Sequence, residues 1–313
     1  MSVKCSGTYL WFWLVFLGSY CVHAQQLLEQ EAFLDNGFLQ NPAMTAPFYQ
    51  ATFGGTHRTY WTVFSDPPQA FSFYGQYPFD NMSVGLAYQT DRFGVWQQNL
   101  AQATYAYQID LGRGPSPQLS LGIGAGRLTS KYNLQTIIAN HSNDPLLPEI
   151  INKNQLFYSS GGIYFTTTDK KNEDRSHLAI GVAGSIVFPR KELFFITPQN
   201  TPQQRVIHAN ALLKYRYVND DNYFYFEPAV WLDYAYHTKL LSPAFQVQSG
   251  LSNLFGLGFR YRFLSDLNLQ VIFRTAHFWE YVPITAGVNI IRLTNQTRAG
   301  IGYGFFLQFA IDT

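Results

Sequence analysis

Six histidines follow residue 24: His57, His141, His177, His208, His237 and His277, each far from the next. Histidine-based metal sites use close spacings or cysteine partners, and the only cysteines, Cys5 and Cys21, lie near the N-terminus. No metal and no other cofactor is expected. Gly122-Ile123-Gly124-Ala125-Gly126 has the outline of a phosphate-cradling loop, but such a loop follows a strand and opens a helix. These glycines instead occupy alternate positions of an apolar segment, as do Gly300, Gly302 and Gly304. They read as small residues on one strand face, turned toward a crowded interior. No Gly-x-Ser-x-Gly elbow occurs, so no catalytic residue is assigned. An enzyme would need a triad gathered from distant strands.

The remaining chemistry is charge placed within apolar segments. Lys214, Arg216, Arg260, Arg262 and Arg274 fall in phase with the small or polar residues of their segments, not with the large apolar ones. Around Asp220-Asp221, a two-residue hairpin would set Lys214 opposite Glu227 and His208 opposite Asp233. Opposite charges directly across a ladder stabilise pairing by about 0.2–1 kcal/mol. These pairs are expected to fix register and fill an interior with polar side chains, with Tyr223, Tyr225 and Trp231 as further inward candidates. A conduit lined by the same charges is the functional alternative.

The elements that must position these residues are strands. Met82, Val84, Leu86 and Tyr88 alternate with Ser83, Gly85, Ala87 and Gln89, and Leu119, Leu121 and Ile123 alternate with Ser120, Gly122 and Gly124. The same pattern recurs at Leu178-Ile180-Val182 and at Leu257-Phe259-Tyr261-Phe263. This is the period of strands with one apolar face. It predicts about fourteen antiparallel strands, near residues 49–58, 69–78, 82–90, 96–110, 118–128, 156–168, 177–188, 204–218, 222–236, 243–250, 254–263, 268–276, 283–293 and 299–311.

Lys4 precedes the apolar run Tyr9 to Tyr20, and Val22-His23-Ala24 supplies a cleavage context before Gln25. Residues 1–24 therefore read as a secretory signal peptide. Tyr20 ahead of Cys21 argues against a lipoprotein anchor. With both cysteines inside that segment, the mature chain is expected to rely on backbone pairing and packing instead of disulfides. Charged residues make up only 13% and aromatics 17%, with net charge +1, which gives no basic footprint for nucleic acid. No later stretch reaches the roughly 18 apolar residues of a helical span. The two architectures left are a soluble secreted all-β protein and a closed transmembrane barrel, the other fold that satisfies every backbone polar group in lipid.

The strand charges favour the barrel, since on a lipid face each would cost up to ~2–4 kcal/mol near the midplane. An even strand count puts both termini at one end, the periplasmic one in this class, and places the long connections 129–155 and 189–203 outside. The division predicted is a signal peptide at 1–24, an N-terminal periplasmic segment at 25–48 and a transmembrane β-barrel at 49–313 of a bacterial outer membrane. Gly304, Leu307 and Phe309 resemble the terminal-strand signal by which such barrels are recognised for insertion.

Motif order adds a family resemblance. Phe38-Leu39-Gln40-Asn41-Pro42-Ala43 is similar to the Asn-Pro-Ala opening of the PorP/SprF family, outer-membrane proteins of Bacteroidetes type IX secretion and gliding motility. His57-Arg58-Thr59-Tyr60-Trp61 resembles its Arg-x-x-Trp element through Arg58 and Trp61. The segment from Gly85 through Asp91 to Gly94 resembles its hairpin motif, and Asn143-Asp144-Pro145 its long-loop element. Tyr225-Phe226-Glu227-Pro228-Ala229 is similar to a later strand of the family. Met44-Thr45-Ala46-Pro47 departs from the usual continuation after Asn-Pro-Ala, and the C-terminal half matches loosely.

The resemblance implies a non-enzymatic envelope role: support for secretion or surface attachment of proteins with C-terminal sorting domains, including gliding adhesins. Implied partners are such a secreted or surface protein at the outer loops and type IX or other periplasmic envelope proteins at turns such as Lys170-Lys171-Asn172-Glu173-Asp174-Arg175. The competing function is a diffusion or solute-transport channel, because a lumen of this size either conducts or is plugged.

Overall fold

The computed structural model describes residues 37–47, 50–60, 66–94, 96–112, 117–132, 153–168, 175–188, 206–219, 224–236, 239–251, 254–263, 266–275, 284–293 and 301–312. Two short 3-10 turns, Gly37–Leu39 and Pro42–Met44, precede fourteen strands. The strands are β1 (Gln50–Thr59), β2 (Gln69–Phe79), β3 (Met82–Phe93), β4 (Trp96–Asp110), β5 (Gln118–Tyr132), β6 (Lys153–Thr166) and β7 (His177–Phe188). They continue as β8 (Val206–Asn219), β9 (Phe224–Ala235), β10 (Leu240–Leu251), β11 (Phe255–Arg262), β12 (Asp266–Thr275), β13 (Ile284–Leu293) and β14 (Ile301–Asp312).

Each strand pairs antiparallel with its sequence neighbours, and β1 closes the sheet on β14, with Phe53 level with Phe309. Closure leaves no edge whose backbone groups would need water. Among the described residues no helix is long and apolar enough to cross a membrane. The alternation read from the sequence is the alternation of the wall. Along β3, Ser83, Gly85, Ala87 and Gln89 are buried inward while Met82, Val84, Leu86 and Tyr88 are exposed outward. The outward set around the wall is dominated by Phe, Tyr, Leu and Ile, the surface that lipid requires.

Hairpin chemistry sets the register. Phe93 pairs with Trp96, so two residues close β3 onto β4, and Gly94 takes φ +54°, the left-handed region that two-residue turns use. This gives the family-motif glycine a structural role. At β9–β10, Lys239 adopts φ +52° and the ladder already begins at Ala235 and Leu240. β10 is therefore three residues longer at its start than the alternation around Pro243 suggests.

The β8–β9 pair corrects the expected register. Asn219 is level with Phe224, so residues 220–223 separate the strands and the pairing is offset by two from that of a two-residue hairpin. His208 faces Ala235 and Asp233 faces Asn210, not each other, and Lys214 faces Ala229. With Tyr217 level with Phe226, Glu227 falls opposite Arg216. An offset of two preserves the strand face, and all these residues stay on the lumen side.

Candidate functional site

The site is the lumen. Residues 37–46, part of the stretch 25–48 that precedes the wall in sequence, fold back inside it. Asn41 caps the second 3-10 turn, its side-chain oxygen accepting from the Ala43 N–H at 3.0 Å, and Pro42 takes the first turn position, where its missing N–H costs nothing. The Asn41 amide also donates to Ile163 O at 3.2 Å and Val182 O at 3.5 Å, carbonyls of directly paired residues on β6 and β7.

Other strands satisfy the backbone of this plug. Gln102 on β4 donates to Leu39 O at 3.3 Å, and Asn210 on β8 donates to Gln40 O at 3.2 Å. The Ser83 hydroxyl on β3 donates to Thr45 O. Gln76 on β2 accepts from Ala46 N–H at 2.6 Å, and Gln108 on β4 donates to Ala46 O at 2.9 Å. The Thr45 hydroxyl lies 2.8 Å from that of Thr104. A segment bonded to six strands satisfies the rule that buried backbone polar groups are paired.

Gly122, singled out in the sequence, and Gly162 make room for it. A Cβ on Gly122 would lie 2.1 Å from Ala43 N, and one on Gly162 would lie 2.1 Å from Asn41 Oδ1. The crowding over Gly122 is thus supplied by the chain's own Asn-Pro-Ala segment, whereas that over Gly124 and Gly126 comes from Ser160 and from Ala101 and Gln102 of the neighbouring strands. Phe38, Leu39, Ala43 and Met44 pack with Tyr74, Tyr164, Leu212 and Trp231 in one apolar cluster.

A charged cluster lies beside the plug, near the end of the barrel that carries both termini. Glu227, only 3% exposed, is 3.5 Å from Arg216 Nη1 and 3.6 Å from Lys214 Nζ. Lys214 therefore reaches Glu227 diagonally, and Arg216 does so from directly across. The guanidiniums of Arg216 and Arg274 each lie 5.0 Å from the Tyr225 ring centre, within cation–π range. Trp231 donates to Asp233 at 3.0 Å, and His208 takes no part in the Glu227 cluster.

Arg260 and Arg262 are buried inward on β11, and Arg58, buried on β1, stacks its guanidinium 4.4 Å from the Tyr60 ring. Lys214 and Arg216 are likewise buried on the inward face of β8, and Arg274, half-buried on β12, reaches the ring of Tyr225. Farther round the wall Ile272, Ile291, Phe306 and Gln248 are also buried inward, so side chains occupy part of the lumen away from the plug as well. Asp91 lies on β3. Trp61, Asp144, Pro145, Tyr223, Asp220, Asp221, His141, His237, His277 and Gly300 lie outside the described residues, as do residues 1–36. Among the described residues no group of three or more His, Cys, Asp or Glu is placed to hold a metal.

The sequence carried a sign of the plug that alternation could not use. Asn-Pro within a short apolar stretch is a cap followed by a first-turn proline. Read as local turn chemistry it names a compact element, but not its location.

No curated protein matches the chain. Among solved structures, the chain is similar to the CymD monoaromatic hydrocarbon channel, with TM-score 0.58 and 10% identity over 88% of this chain and 92% of that one. It is also similar to a deltaS2S3 mutant of the TodX monoaromatic hydrocarbon channel, with TM-score 0.54 and 8% identity over 88% and 94%. At such identities the likeness speaks for the barrel alone. The sequence itself matches the description "Type IX secretion system membrane protein PorP/SprF" across residues 22–309. This chain, a closed fourteen-stranded barrel of the outer membrane, belongs to the PorP/SprF family of type IX secretion system membrane proteins.

Proposed function

We propose that the protein is a sealed outer-membrane support of the type IX machinery, on which proteins with C-terminal sorting domains are secreted or attached at the surface. The observation that carries this reading is the plug, residues 37–46 hydrogen-bonded to six strands within a lumen into which many other inward side chains are buried. A solute conduit requires a hydrated path, whereas a support requires a rigid wall and two presenting ends.

On this reading both termini face the periplasm. The connections spanning 133–152 and 189–205 then lie at the outer end, where a secreted protein would engage. The turn around 169–174 lies at the inner end with periplasmic partners of the machinery.

Affinity purification of the tagged protein from native outer membrane tests the proposal. Co-purification of envelope secretion components and of a surface protein with a sorting domain is the expected result. Loss of that surface protein from cells lacking the barrel should accompany it. Recovery of the barrel alone, with robust solute uptake in liposomes, would favour the channel reading instead.

A further inference from the structure

On the outer wall a depression interrupts the aromatic surface. It is an apolar groove of about 790 Å³. Ala101, Ala103 and Ala125 form its floor, and Leu86 and Phe157 stand at its sides. Register explains the shape: Leu86, Ala103 and Ala125 form one cross-strand row, and Ala101, Arg127 and Phe157 form the adjacent row. Ala103 and Ala125 in the first row and Ala101, between Tyr88 and Arg127, in the second are small, which leaves a channel between bulky neighbours.

Arg127 closes the groove at the end farther from the termini, exposed on the outward face. Along β5 the outward residues below it, Leu121, Ile123 and Ala125, are apolar, and those beyond it, Thr129 and Lys131, are polar. Thr90 and Arg92 on β3 and Gln97 on β4 continue this polar margin. An outward arginine is tolerated at the lipid–water boundary and costly at the midplane, so Arg127 marks the boundary. Among the described residues neither Arg127 nor Lys131 is ion-paired with a carboxylate, whereas Arg92 pairs with Asp66 at 3.1 Å.

We propose that this groove binds one molecule of a diphosphorylated, multiply acylated glycolipid of the lipid A type. An acyl chain lies over Ala101, Ala103 and Ala125, and a phosphate engages Arg127 and Lys131. The apolar channel fits a hydrocarbon chain, and Arg127 at its polar end, with Lys131 two outward positions farther along β5, supplies charge-assisted bonds to phosphate oxygens. The choice of an outer-leaflet lipid rests on the orientation proposed above. Protease cleavage on intact cells of a site inserted within residues 133–152 tests that orientation separately.

The binding test uses the mature barrel, delipidated and placed in neutral-lipid nanodiscs, titrated with lipid A and read by native mass spectrometry. One bound lipid A is expected, with affinity falling about tenfold or more in the double variant Arg127→Gln/Lys131→Gln. Ala103→Leu/Ala125→Leu, which fills the groove and keeps the charges, should weaken binding comparably. Heat-modifiable migration on gels shows that each variant is folded. Equal binding by wild type and both variants, equal retention of phosphatidylethanolamine, or dimerisation through this face in place of lipid binding would each overturn the assignment.

Discussion

Glu227 holds together the most heavily charged part of the lumen. Its carboxylate faces two cations at 3.5 and 3.6 Å, with its side chain almost wholly removed from solvent. Removing one partner of a buried charge cluster costs far more than the cluster contributes, because the remaining charges stay buried. Glu227→Gln should therefore destabilise the barrel by about 3–5 kcal/mol, measured by reversible urea unfolding in lipid vesicles. Lys214→Met should cost clearly less, since Arg216 still neutralises Glu227. Equal losses would mean that Lys214 and not Arg216 is the main partner. The charges were legible from sequence because inward phase is a local property of each strand. Their pairing was not, because it depends on the length of the connection at 220–223, which two aspartates alone do not fix.

At the same scale, Asn41 joins the plug to the wall. Asn41→Ala removes the cap on Ala43 and the bonds to Ile163 O and Val182 O, a loss of about 1–3 kcal/mol. If cleavage removes residues 1–24, the mature chain carries no cysteine, so Leu39→Cys provides a single reporter. Its labelling by a water-soluble maleimide should be slow in the parent and faster by at least about tenfold when Asn41→Ala is added. Unchanged labelling would show that Asn41 does not hold the plug.

At the scale of elements, strand and plug are held by different forces. The wall depends on a continuous backbone ladder, and the plug on side chains fitting against glycine. Gly122→Val puts atoms where Ala43 now lies, and overpacking of this kind costs typically 1–3 kcal/mol. The plug is expected to yield and the wall to remain, so Leu39→Cys labelling should rise while heat-modifiable migration persists. Collapse of the barrel itself would show that plug and wall form one cooperative unit. Strand count and face could be read from alternation, as β3 and β5 show. The plug could not, because a ten-residue element with no periodicity is placed by partners distant in sequence, from Gln76, 30 positions from Ala46, to Asn210, 170 positions from Gln40.

For the whole molecule, a closed sheet with an apolar exterior and a plugged interior leaves three surfaces for interaction: the two ends and the lipid-facing wall. The family places the chain in type IX secretion, and the barrel likeness to hydrocarbon channels concerns the shape of the wall. What distinguishes a support from a channel is the content of the lumen, which neither resemblance specifies. Single-channel recording of the purified mature protein in planar bilayers, beside an open porin control, tests this most directly. A sealed support predicts no sustained conductance steps. Large, salt-dependent steps in the intact protein that change with Lys214→Ala would contradict it.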